Sequence, residues 1–73
     1  MKQLQHRGYV IHYTAEDGAG FWNAKGRIEF YERDTFCSIN LTGMRNAFMT
    51  PGEAEEEFLS RAKNWIDRHA KVS

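Results

Sequence analysis

The feature that most constrains this chain is an unbroken alternation from Phe21 to Arg33. The even positions are Trp22, Ala24, Gly26, Ile28, Phe30 and Glu32. The odd positions are Phe21, Asn23, Lys25, Arg27, Glu29, Tyr31 and Arg33. Side chains alternate across a strand, so one face is largely apolar and the other mostly polar. The parity survives Gly26, which argues for one long strand bent at Lys25-Gly26 rather than two strands out of register. A half-buried strand of this length needs a neighbour on each side. Its first half suits an earlier strand and its second half a later one.

The flanking sequence supplies both. Tyr9-Val10-Ile11-His12-Tyr13-Thr14 is rich in β-branched and aromatic residues and reads as a strand over about 8–14. Residues 15–20, with Gly18 and Gly20, read as a turn. Arg33-Asp34-Thr35 is a second turn. Residues 36–41 read as a strand with Cys37, Ile39 and Leu41 on one side and Ser38 and Asn40 on the other. Residues 1–7 are polar and expected to fray. Residues 44–49 admit two readings, a loop covering a core edge or a fourth strand.

Thr50-Pro51-Gly52-Glu53 marks a helix start. The Thr50 hydroxyl suits an N-cap, Glu53 can reach back to the Thr50 amide in a capping box, and Pro51 costs nothing at the first helical position. The helix is expected over about 51–69. Ala54, Phe58, Leu59, Ala62, Trp65 and Ile66 fall on one stripe. Acids gather in the first turns and bases in the last, matching the helix dipole, and Glu57 with Arg61 and Asp67 with Lys71 are i,i+4 pairs.

The expectation is therefore a single α+β domain over 1–73, an antiparallel β-meander of three strands, or four if 44–49 joins it. One C-terminal helix packs on one face. The expected core is Ile11, Trp22, Ala24, Ile28, Phe30, Ile39, Leu41, Phe58, Leu59, Ala62, Trp65 and Ile66.

Ten Lys and Arg balance ten Asp and Glu over 73 residues. This excludes the strongly basic profile of a typical nucleic-acid binder, though not a local patch. One cysteine, Cys37, forms no intrachain disulfide, which points to a reducing compartment. No run is long and apolar enough for a membrane span, and the first seven residues lack the apolar stretch of a signal peptide. A cytoplasmic protein is expected.

Catalytic and metal chemistry find little support. His6, His12, His69 and Cys37 show no ligand spacing. Glu53, Glu55, Glu56 and Glu57 point around a helix rather than converging. Cys37 shares its parity with inward residues, unlike an exposed nucleophile. No enzyme activity, metal or cofactor is expected. The outer sheet face is the better candidate. Lys25, Arg27, Tyr31 and Arg33, with Asn23, Ser38, Asn40 and His12, interleave bases with an aromatic, as some RNA-binding sheets do. Glu29 sits in their midst. A cluster of Tyr9 or Val10 with Phe21 and Phe36 offers a route to a homodimer. The leading expectation is a small non-enzymatic binding or regulatory module acting through protein contacts or self-association. Single-stranded RNA binding on the outer sheet face is the alternative.

The layout of Tyr9-Val10-Ile11-x-Tyr13, a Gly-rich turn, Phe21 to Phe30, Thr50-x-x-Glu53-Ala54 and Ala62-Lys63-x-Trp65-Ile66 resembles small uncharacterised bacterial proteins of βββα type. It is more loosely similar to HicB-type antitoxin domains, whose Pro-Asp-Leu-Pro-Gly type segment is replaced here by Glu32-Arg33-Asp34-Thr35. It is also similar to the sheet-plus-helix half of the double-stranded-RNA-binding fold, without that fold's N-terminal helix or its Lys-rich helix start. These resemblances imply a βββα arrangement and assign no functional residue.

Overall fold

The computed structural model describes residues 1–41 and 48–72, and side chains as far as Ala70. Four strands form one antiparallel sheet in chain order: β1 (Lys2–His6), β2 (Tyr9–Gly18), β3 (Phe21–Glu32) and β4 (Thr35–Leu41). The helix α1 (Pro51–Val72) crosses one face. The α+β meander expected from the pattern is the architecture observed.

Three two-residue turns build the sheet. Arg7-Gly8, Ala19-Gly20 and Arg33-Asp34 all have both residues at positive φ. This is the signature of type I′ turns, whose twist matches that of the strands they join. The tightness of these turns corrects three boundaries. Residues 2–6, expected to fray, form the edge strand β1, because the Arg7-Gly8 turn returns the chain directly onto β2 with Leu4 opposite Ile11. Residues 15–18, read as turn, extend β2 as far as Gly18 opposite Phe21. Their backbone groups are the partners that the first residues of β3 require. Arg33, placed on the strand face by parity, occupies the third turn.

β3 runs without a break in register, pairing with β2 from Phe21 to Glu29 and with β4 from Gly26 to Glu32. Gly26 lies opposite Tyr13. A Cβ there would overlap the His12 carbonyl oxygen and stand 2.8 Å from the Tyr13 Cα. Only glycine permits this approach of the two central strands.

The helix begins as its sequence directs. The Glu53 amide donates to Thr50 Oγ1 at 3.2 Å, and the Ala54 amide to the Thr50 carbonyl at 3.3 Å. The Glu53 carboxylate accepts from the Thr50 hydroxyl at 3.1 Å instead of taking the Thr50 amide, so the capping box closes through side chains. Arg61 donates from Nε to Glu57 at 3.0 Å, as the i,i+4 spacing predicts. Asp67 pairs with β1 and its turn, and the Lys71 side chain expected beside it lies outside the described residues.

The helix packs across β2 and β3. Ile11, Tyr13, Ala24, Ile28 and Phe30 from the sheet meet Ala54, Phe58, Ala62 and Ile66 from the helix, all buried. Trp22, Ile39, Leu41, Leu59 and Trp65 are half-buried around this centre. Tyr13, absent from the expected core, enters it by covering Gly26 and stacking on Phe58, with centroids 6.1 Å apart. Tyr9 stacks on Phe30 at 4.8 Å and Trp65 on His69 at 4.8 Å, closing the C-terminal end of the helix against the sheet. Most of the expected fourth strand, 44–49, lies outside the described residues. Phe48 forms an isolated antiparallel bridge with Trp22, with backbone hydrogen bonds of 2.7 and 2.9 Å.

Candidate functional site

The odd positions of β3 point away from the helix, and register places them beside Val10, His12, Thr14 and Glu16 of β2 and Phe36, Ser38 and Asn40 of β4. Parity therefore identified the outer face correctly. Its electrostatics differ from those of a basic patch. Lys25 Nζ lies 2.7 Å from Glu16, and Arg27 Nε 3.7 Å from Glu29. Glu29 also holds His12 Nε2, whose residue is 9% exposed despite lying on the open face. Each strand cation thus has a carboxylate beside it, and Arg33 in the turn belongs to neither row. A shallow hollow of about 180 Å³ lined by Met1, Lys25, Gly26, Arg27 and Asn40 lies over this region.

The exposed aromatics divide between the two ends of the sheet. Tyr31 and Phe36 are directly opposite each other on β3 and β4, with rings edge-to-face at 5.5 Å, and are 75% and 52% exposed. Phe21 stands at the far hairpin tip, roughly 33 Å away along β3 at the usual rise per residue. Tyr9 belongs to the core cluster. Val10 is half-buried opposite Glu29, so the apolar cluster expected from Tyr9 or Val10 with Phe21 and Phe36 resolves into one aromatic pair, Tyr31 with Phe36, beside the β4 edge.

The helix-facing side holds a second feature. Because α1 lies over β2 and β3, the inward side chains of β4 (Cys37, Ile39 and Leu41) stay half-buried. Beside them runs a groove of about 410 Å³ lined by Leu41, Arg61, Asn64, Trp65 and Arg68. Arg61 and Arg68 read in sequence as dipole-compensating surface bases. Their shared stripe with Asn64 and Trp65, at i, i+3, i+4 and i+7, was the available signal.

The histidines are spread over the molecule. His6 Nε2 is 2.9 Å from Asp67, which Arg7 also meets at 3.1 Å, and His69 Nε2 is 3.8 Å from Glu32. Lys2 Nζ reaches Glu55 at 2.7 Å, and the hydrogen bond to that carboxylate, with its charge, holds the Lys2 ammonium above the usual lysine range. Cys37 donates to the Thr35 carbonyl at 3.7 Å. Among the described residues no group of three His, Cys, Asp or Glu side chains converges as a metal site would require. No described helix is long and apolar enough to cross a membrane. No family model, curated protein or solved structure matches the chain.

Proposed function

We propose that this chain is a small non-enzymatic binding module that acts through protein contacts, self-association included. One observation carries the reading. β4 is the last strand of the sheet among the described residues, its seven residues bear no charge, and the exposed Tyr31–Phe36 pair borders it. Edge strands are commonly protected against pairing by charge, proline or a covering segment, because their unpaired amides and carbonyls template another strand. An uncharged edge beside exposed aromatics fits a surface that is used. The RNA reading draws less support, since Lys25 and Arg27 already face Glu16 and Glu29, which offset their attraction for phosphate.

The test combines light scattering over a wide range of concentration with peptide-library selection on the purified chain. The expected result is a concentration-dependent mass or selected peptides that bind, with either lost in Phe36→Lys at unchanged thermal stability. A monomer for which no peptide is selected overturns the reading. Amide shifts of Lys25 and Arg27 with single-stranded RNA that fade as salt rises also overturn it, in favour of nucleic acid.

A further inference from the structure

The groove between β4 and α1 allows the partner to be specified, an inference that rests on the protein-contact reading above. We propose that it takes an extended peptide segment carrying acidic residues around an apolar one, added to β4 as a fifth strand. Strand addition supplies affinity through the main chain and specificity through alternate side chains. Both parts are present here. β4 offers an uncharged edge, and on the helix side of that edge lies the groove lined by Leu41, Arg61, Asn64, Trp65 and Arg68.

Charge selects the occupant. Among the described residues, the charged groups lining the groove are both arginines. A second copy of this chain pairing through its own β4 would bring Thr35, Cys37, Ile39 and Leu41, or Phe36, Ser38 and Asn40, and no carboxylate. It would match the backbone and leave the arginines without an acid from the partner. Arg61 gives its Nε to Glu57 at 3.0 Å and meets an added carboxylate with its remaining N–H groups, while Arg68 offers a second guanidinium, a group well suited to carboxylates.

Spacing narrows the segment further. Arg61 and Arg68 are seven residues apart on one helix, about 10.5 Å along its axis. Alternate side chains of an added strand face the groove, and positions i and i+4 lie about 13 Å apart. The long arginine side chains absorb the difference. The residue between, at i+2, meets Trp65, which stands between the two arginines on the helix. The recognised pattern is therefore acid-x-apolar-x-acid in extended conformation.

The test uses a fluorescein-labelled heptapeptide with glutamate at its second and sixth positions, valine at the fourth and threonine elsewhere. Anisotropy follows binding, and amide shifts of the full chain map it. The expected result is binding with shifts across β4 and at Arg61, Trp65 and Arg68. The affinity should be about tenfold weaker when the glutamates become glutamines, or when Arg61→Gln and Arg68→Gln are combined, and lost on methylating alternate peptide amides. The methylated peptide leaves the protein untouched, so misfolding cannot imitate that result. Absence of binding, equal binding of the glutamine peptide, or shifts confined to the outer face overturn the proposal. If the chain instead forms a Phe36-dependent dimer, this site fails while the protein-contact reading stands. If there is neither dimer nor selected peptide, both fail.

Discussion

Among the described residues, the two edges of the sheet are built on opposite principles. β1 is short and bound down. Lys2 at its start reaches Glu55 and His6 at its end reaches Asp67, so both ends are tied to the helix. β4 is longer, and none of its residues can form an ion pair. The helix sits over β2 and β3, leaving Cys37, Ile39 and Leu41 half-covered. A sheet of this size can protect both of its edges with charge or with the helix. Here one edge is secured and the other is uncharged and lies beside arginines of the helix. That asymmetry is the strongest structural reason to look for a partner at β4.

The largest expected effect removes the frame on which both edges depend. Gly26→Ala forces a Cβ into the His12 carbonyl and should cost about 3 kcal/mol or more, comparable with the whole stability of so small a domain. Ile28→Ala, at a fully buried position, should cost about 2–5 kcal/mol. Thermal melts of the two variants check this, and unchanged midpoints would refute the core described here.

Next comes the tie at β1. Asp67→Ala strips His6 and Arg7 of their shared carboxylate and should destabilise by about 0.5–1.5 kcal/mol. Hydrogen exchange should report the loss chiefly in β1 amides, with β4 unchanged. Equal loosening of both edges would show that they are not independent.

The smallest effects on stability discriminate most sharply between the edges. Ser38→Lys on β4 and Gln3→Lys on β1 both place a charge at an exposed outer-face position. Each should shift stability by no more than about 0.5 kcal/mol. Only Ser38→Lys should weaken partner binding, measured by anisotropy or light scattering. Equal loss in both variants would remove the distinction.

Lys2 provides a pH test of the same contrast. Its ammonium is held above the ordinary value of 10.5 by Glu55, so the bond's contribution is fully present below that pH and declines as pH rises through the higher folded value. Amide exchange at β1 should accelerate there, and Lys2→Met should remove the pH-dependent component. An identical alkaline response in Lys2→Met would assign the effect to another group.

Much of this was legible in the residues. The alternation through β3 requires a two-sided strand, and the Thr50-Pro51-Gly52-Glu53 start with its apolar stripe requires an amphipathic helix. Both arise from periodicities of neighbouring residues, and both stand in the structure. The strand status of residues 2–6 was hidden, because Lys2-Gln3-Leu4-Gln5-His6 carries one apolar residue and its stability comes from β2 and from acids 53 and 61 residues away. The outer-face cations were found by parity. Glu16 beside Lys25 is fixed by hairpin register, which local pattern does not reveal.

The sequence by itself determined the central strands and the helix, their inward faces and the helix's charge layout, since these follow from side-chain spacing along a single segment. Only the tertiary structure decided how those elements share space: that the helix rests on β2 and β3, that β1 is tied to it at both ends, and that β4 is left beside a groove carrying Arg61 and Arg68. Those outcomes depend on pairing register and on contacts between residues distant in the chain.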